Sequence, residues 1–544
     1  MLRRILVTAV LVSACGGGGG TPGSLRFHNR PVVWLVNDRQ PIPPIEKAGQ
    51  GLVVYYLDQD LIAPSRLALT VDDERRAANV NSLGEVPDSS WFTNRSPTPA
   101  EVRRGPGRGG PDRSGPFRVT GVKVGGVAIG ITVLDARGDR YVLKFDERGH
   151  AETETSADVV VQRLSWACGY NVPENEVVTF ARGDLTLDPA AVMSHRAGGA
   201  RPMTERDLET YLALVESDGG RFRALASRFI DGKILGGVEP EGKRAEDPND
   251  RVPHELRRDL RGQRMLWAWV NHPDLKTANT LATVTDESYV KRYVLDFGKA
   301  LGTWSRIEHQ LGFGYRRRFG LHDAILSLVS LGIWVRDAER WIAFPAYRGL
   351  GYFDAESFDP ATWVPNHRWR PTDLADRFDE LWAAAILLRL TRQHIEAAVA
   401  AGSYSDPRTA DFLVRTLIAR QRKVGNYALS RVAPLTALVA EPRAQSLAVC
   451  FDDLWLRHGL NTPDSVTTYR ATGHNYDGSP TAVPGPWVVA HGAHSCVTVP
   501  PGSAHERYTI SRIEVRRDKT SLPPVFVHAA IGPAGWRVIG IDRR

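Results

Sequence analysis

The sequence predicts an α+β chain, and three observations carry that expectation. Apolar and polar residues alternate from Phe117 to Phe145, with the two-residue period of strands. Between residues 254 and 424 the apolar spacing becomes helical, and from about residue 436 short strand-like runs and turns return. At 544 residues, with 42% apolar and 24% charged residues, the chain is long enough for two or three cores rather than one. The net charge of +7 is carried mostly by arginine and shows no dense basic run, which argues against nucleic acid as a partner.

Met1-Leu-Arg-Arg4 is a basic start, and Ile5 to Ala14 is an apolar run of signal-peptide length. The run ends in Val12-Ser-Ala-Cys15, which resembles the bacterial lipobox. That resemblance implies cleavage before Cys15, a lipid on its sulfur, and an exported lipoprotein anchored in a membrane, periplasmic or at the cell surface. Gly16 to Gly20 and Thr21 to Ser24 then form a flexible tether, so residues 1–24 are signal peptide and tether. The run is too short to span a bilayer.

Residues 25–114 form an extended N-terminal arm, with strand-like runs at Pro31 to Val36 and Leu52 to Leu57. Turn formers from Asn79 to Asn94 surround Trp91-Phe92, a pair placed to wrap onto the next unit. Three antiparallel strands follow, at residues 117–124, 127–134 and 140–145, with turns at Gly125-Gly126 and Asp135 to Gly138. Residues 151–169 read as a helix with an acidic start and Gly169 as its stop. Glu154 and Asp158 lie four apart on one face of it, and Cys168 packs as a small hydrophobe. Residues 182–221 read as an insertion with one helix over 205–215, and 223–230 as a strand leading to Asp231-Gly232. Asp247-Pro-Asn-Asp250 is expected to cap one helix running from His254 to Trp269. Its Arg257, Arg258 and Arg261 are expected to tie it to neighbouring carboxylates rather than to a phosphate.

That helix runs into His272-Pro-Asp274-Leu-Lys276-Thr-Ala-Asn279, followed by Asp296-Phe-Gly298. Phosphoryl transfer asks a protein mainly to position reactants and neutralise charge. A carboxylate must stand beside the attacking hydroxyl, with an oxygen ligand for a cation a few residues on. Asp274 and Asn279 have such a separation, and Asp296 adds a second carboxylate. His-x-Asp-x-Lys-x-x-Asn and Asp-Phe-Gly resemble the catalytic and metal loops of protein kinases.

The resemblance implies a bilobal protein-kinase-like fold: a β-rich N-lobe over 115–235 and a helical C-lobe over 236–435. It implies ATP and Mg²⁺ as cofactors. Asp274 would be the base or substrate orienter, Lys276 would stand near the transferred phosphate, and His272 would brace the loop. Asn279 and Asp296 would hold the metal. Lys144 resembles the strand lysine that contacts the nucleotide phosphates, and Asp158 or Glu154 would fix it. Counted from Gly169-Tyr-Asn-Val-Pro173, Asp158 matches the acid of HipA-type kinases better, and Glu154 stays open. Gly125, Gly126 and Gly130 would form the phosphate loop, although they do not spell Gly-x-Gly-x-x-Gly and an ordinary hairpin turn is the alternative. No Ala-Pro-Glu follows Gly298, which points to an atypical member, closer to the HipA or CotH groups.

Helices are expected at 325–335, 372–390, 391–401 and 406–424, with a turn-rich insert over 358–365. Residues 436–544 read as a small β-sandwich-like domain. Cys450 and Cys496 share that region, and whether they pair is left open. His491-x-x-His494-x-Cys496 lacks a fourth ligand at matching spacing. The expected function is a lipid-anchored, extracytoplasmic phosphotransferase that moves the ATP γ-phosphate to a hydroxyl on an envelope protein or small molecule. The alternative is an idle kinase-like scaffold whose C-terminal β domain binds an envelope partner.

Overall fold

The computed structural model describes residues 31–45, 76–122, 129–194, 199–303, 321–334, 347–443, 446–475, 477–499 and 507–544. It is a mixed α+β structure. The arm forms no regular strand over 31–36, contrary to expectation. Leu35 makes a single bridge to Asp88. Upstream of Asp88 the chain turns at Asn81, whose Oδ1 accepts the Leu83 and Glu85 amides at 3.0 Å. The second strand expected in the arm, at 52–57, lies outside the described residues. Trp91 and Phe92 do pin the arm down. The guanidinium groups of Arg257 and Arg292 stand over the Trp91 ring, 4.3 and 4.4 Å from its centre. Phe92 is fully buried against Tyr170 and Trp382. Burying rings of this size stabilises the attachment by about 2–3 kcal/mol each. A short helix, α1 (Pro99–Arg104), closes the arm behind a Thr98–Glu101 capping box.

The alternating region forms β1 (Phe117–Val122), β2 (Gly130–Leu134) and β3 (Arg140–Lys144), antiparallel as the pattern predicts. Helix α2 (Glu154–Ala167) and strand β4 (Asn175–Ala181) follow. The stretch read as an insertion belongs to the same sheet. It supplies β5 (Leu185–Ser194), β6 (Ala200–Pro202), α3 (Glu205–Leu212), β7 (Ser217–Asp218) and the start of β8 (Arg221–Arg228). Strand β5 pairs parallel with β1, and β8 lies between β3 and β4. Pro189 hid β5 from sequence reading. It sits where the register slips between Leu187 and Val192, the kind of irregularity in which a strand accepts proline. One face of the sheet, including Val119, Ile131, Leu143 and Phe180, packs on Leu208 and Leu212 of α3.

Strand β9 (Lys233–Gly236) leads to a three-residue turn of 3₁₀ helix at His254–Leu256, then α4 (Arg258–Arg261) and α5 (Gln263–Val270). The single helix expected from His254 to Trp269 is therefore broken, at Arg257, whose backbone is extended. Asp247 and Asp250 are drawn away from capping. Asp247 accepts from Arg292 at 2.6 Å, and Asp250 pairs with His254 at 2.8 Å. The arginines bind carboxylates, as expected: Arg258 and Arg261 both reach Asp379, at 2.9 and 3.3 Å, and Arg257 reaches Asp259 at 2.9 Å.

Strands β10 (Thr280–Val284) and β11 (Val290–Val294) form a hairpin beside β9. The later helices are α6 (Leu321–Val329), α7 (Arg370–Asp373), α8 (Arg377–Leu388), α9 (Arg392–Ala401) and α10 (Pro407–Leu429). The last two lie close to expectation. The helix expected over 325–335 ends at Val329, and the one expected over 372–390 is split before Asp376, which is extended and caps α8. The largest core joins α2, α5, α8, α9 and α10 and takes in the arm's Phe92.

The C-terminal strands are β12 (Leu435–Arg443), β13 (Ser446–Asp453), β14 (Thr467–His474), β15 (Val488–Val489), β16 (His494–Val499), β17 (Tyr508–Arg517), β18 (Thr520–Ser521), β19 (Val525–Gly532) and β20 (Gly535–Arg543). A short helix, α11 (Leu454–Arg457), follows β13. Strands β12, β13 and β16 make one sheet and the others a second. They share a core of Val449 and Phe451 from one side and Tyr469, Ile513 and Val527 from the other. Cys450 stands opposite Cys496 in the β13–β16 register, and the two are disulfide-bonded. Their sulfurs are thereby withdrawn from any thiolate metal site with His494.

Candidate active site

Three local devices assemble the site. The first ends α5. Asn271 takes the left-handed conformation, its N–H donates to the Ala268 carbonyl, and the His272 N–H donates to the Trp267 carbonyl at 2.9 Å. This is a Schellman turn, with the His272 ring set edge-on to Trp267, centroids 5.3 Å apart, as its apolar contact. The helix therefore stops at Val270, four positions before Asp274.

The second device is a tight loop. Lys276 Nζ donates to both oxygens of Asp274, at 2.9 and 2.8 Å. Asn279 Nδ2 donates to the Asp274 carbonyl at 2.7 Å and to its Oδ2 at 3.1 Å. With both amide protons committed, Oδ1 is the Asn279 atom left for a ligand. Gly237 lets the strand before the loop come close: a Cβ there would lie 2.3 Å from the Thr277 carbonyl oxygen.

The third device is the β10–β11 hairpin. Its register pairs Thr280 with Val294, and beyond that pair the Leu295 N–H donates to the Asn279 carbonyl at 3.0 Å. The next residue, Asp296, is thus delivered beside Asn279. It has φ +63°, a conformation uncommon for a residue with a side chain and concentrated at functional sites. Lys144 Nζ reaches Asp296 Oδ1 at 3.2 Å from the end of β3. Asp158 lies behind them, buried, accepting from Asn175 Nδ2 at 2.6 Å and from the Phe297 N–H at 3.1 Å. Phe297 is fully buried between Trp267 and His272. Gly298 follows because a Cβ there would come 3.3 Å from that of Glu154.

The electrostatics follow from this packing. Burial alone would lower the Lys144 ammonium, but the carboxylates of Asp296, Asp158 and Glu154 outweigh it and hold it above the usual lysine range. Burial pushes Asp158 up to about 6 against the pull of Lys144. Burial also raises Glu154, opposed by Lys299. His272 is pushed down to about 4 by burial, so it is neutral at physiological pH.

The structure therefore brings together Lys144, Asp158, His272, Asp274, Lys276, Asn279 and Asp296. Glu154 makes its ion pair with Lys299, and of the two acids on α2 Asp158 acts on the Lys144 ammonium more strongly than Glu154 does. Gly130 stands directly opposite Lys144 in the β2–β3 register. Gly125, Gly126 and Cys15 lie outside the described residues. Sequence reading missed Lys299 and Asn175. Lys299 directly follows the Asp-Phe-Gly motif and was a candidate partner for a helix acid. Asn175 gave no signal, because its role depends on β4 running antiparallel beside β8 and against α2.

No protein-family model matches the chain, and no curated protein matches it. Among solved structures, the crystal structure of the Golgi casein kinase with Mn/ADP bound aligns at 11% identity and a TM-score of 0.29, covering 72% of this chain and 94% of that chain. A second crystal structure of the Golgi casein kinase aligns at 11% identity and a TM-score of 0.25, covering 72% of this chain and 97% of that one.

Proposed function

We propose that the chain is a kinase-like phosphotransferase that moves the γ-phosphate of ATP to a hydroxyl acceptor. In this reading residues 115–235 and 236–435 are its two lobes, residues 436–544 are an appended β domain, and a lipid on Cys15 holds the exported chain at a membrane. One observation carries the catalytic part: Lys144 meets Asp296 at 3.2 Å, while Asn279, hydrogen-bonded to Asp274, meets the same loop through Leu295.

The donor set fits a hard divalent cation. The half-exposed Asp296 carboxylate and Asn279 Oδ1 are the oxygen ligands Mg²⁺ favours alongside phosphate oxygens. Such an ion, when bound, neutralises phosphate charge. Lys144 grips the non-transferred phosphates, and Asp158 keeps it charged and aimed. Asp274 orients the acceptor hydroxyl and takes its proton as the oxygen attacks phosphorus. In the resting chain Lys276 occupies both Asp274 oxygens. In this reading Lys276 passes from Asp274 to the transferred phosphate and frees the carboxylate oxygens for the acceptor hydroxyl.

The test is a thermal-shift titration with ATP, with and without Mg²⁺, on wild type and on Asp296→Ala, followed by phosphate transfer to an envelope extract. A Mg²⁺-dependent shift lost in the variant is the expected result. No shift in wild type would leave only the scaffold reading.

A further inference from the structure

We propose that residues 321–334 form a second membrane contact, a short apolar helix and turn that lie in the surface of an anionic bilayer. The inference is independent of phosphate transfer. Ile325, Leu328 and Val329 share one face of α6 at positions i, i+3 and i+4, and that face is open: Leu328 and Val329 are each 77% exposed. The turn after the helix continues the patch, with Leu331 90% and Ile333 83% exposed.

The turn is built, not frayed. The Gly332 N–H donates to the Ser327 carbonyl at 2.7 Å, the Leu331 N–H to the Leu328 carbonyl at 3.1 Å, and the Trp334 N–H to Ser330 Oγ at 2.9 Å. Leu331 is held at φ +52°, a conformation a leucine enters at a cost, and it is held there facing out. None of these side chains belongs to a hydrophobic cluster of the described residues. A patch of this kind on a chain in water calls for an occupant.

Charge and length select a bilayer. From Leu321 to Trp334 the only formally charged residue is Asp323, whereas the sequence just before is Tyr315-Arg-Arg-Arg-Phe319. In sequence the apolar stretch follows three arginines and ends in a tryptophan, and that composition suits an anionic lipid surface, which takes apolar side chains, cationic groups and an amphipathic ring. Nine helical residues rise about 14 Å, far less than a bilayer's hydrocarbon thickness, so the element lies in the interface and does not cross it.

The experiment uses the full chain carrying Cys15→Ser, so that no lipid is attached, and co-sedimentation with phosphatidylcholine vesicles containing phosphatidylglycerol. The chain is expected to sediment with the vesicles, and Leu328→Glu/Leu331→Glu to lower the bound fraction about ten-fold at an unchanged melting temperature. Equal sedimentation of the two proteins overturns the proposal, as does failure of both to sediment. A dimer in solution that the double variant converts to monomer also overturns it, by assigning the face to a second copy. Should the double variant unfold, amide exchange on the parent decides. Slower exchange over 321–334 on adding vesicles supports the contact, and unchanged exchange rejects it.

Discussion

Lys144 and Asp296 stand 152 positions apart in the chain and meet at 3.2 Å. Lys144 comes from the end of a strand and Asp296 from a left-handed residue just past a hairpin, where α2 holds the chain through Asp158, which accepts from the Phe297 N–H. The pair is one-fifth exposed on the lysine side and about half exposed on the aspartate side, so it opens toward solvent from a buried base. A pair whose sole purpose was stability would gain little at such exposure. The proposed role, admitting phosphate and a cation, would require such exposure.

Replacing Lys144 by Met keeps the stem and removes the charge. Transfer is expected to fall about a hundred-fold or more, the loss typical of removing one preorganised electrostatic donor. The melting temperature should hardly move, because the lost pair is partly solvated. Parallel steady-state kinetics and thermal melts check this. An equal loss in both would reduce Lys144 to a structural residue.

The two acids on α2 give opposite expectations. Asp158 faces Lys144 and anchors the Phe297 amide, so Asp158→Ala should disturb both the lysine and the metal loop and lower transfer about as far as Lys144→Met. Glu154 is tied to Lys299, so Glu154→Gln should cost less, roughly the several-fold effect of losing a neighbouring ion pair. Comparing kcat/KM of the two variants checks the ranking. A larger loss for Glu154→Gln would reverse the assignment.

Much of this site is legible in the amino-acid sequence alone, for a physical reason. Asp274, Lys276 and Asn279 lie within six consecutive residues, and a loop that short constrains its own geometry. The choice between Asp158 and Glu154 is not legible there. It depends on which turn of α2 faces β3, and that is set by packing of the helix against β4, α1 and α9. Strand β5 is hidden by Pro189, and the break at Arg257 by an apolar rhythm that carries on through it. In each case a long-range partner overrides a local signal: the parallel edge of β1 in the first, the Trp91 ring in the second.

His272 makes the site's stability depend on acid. The native chain keeps it neutral down to about pH 4, while an unfolded chain protonates it below about 6.5. Between those values the unfolded state binds more protons, so stability falls as pH falls, by about 3 kcal/mol across the window. Asp158 acts in the opposite sense, since its folded value of about 6 makes ionisation on raising pH unfavourable. His272→Phe keeps the aromatic contacts to Trp267 and Phe297 and removes only the histidine part. Urea melts at about pH 7 and about pH 4 should show a larger acid loss in wild type than in this variant. Equal losses would mean that His272 is protonated in the folded chain.

Asp379 separates structural arginines from phosphate-binding ones. Its carboxylate is fully buried and receives Arg258 at 2.9 Å and Arg261 at 3.3 Å, both themselves nearly inaccessible. Arg258 also bonds the Gly84 carbonyl of the arm, so the cluster ties the arm to the helices that precede the 272–279 loop. Asp379→Asn leaves two buried guanidinium groups facing a neutral amide, and breaking a buried pair from one side costs about 3–5 kcal/mol. The melting temperature should drop by several degrees, while the affinity for Mg²⁺·ATP in the folded fraction stays as in wild type. Were nucleotide affinity to collapse with no change in melting temperature, Arg258 and Arg261 would have to be read as phosphate ligands, and the cluster as part of the site rather than its foundation.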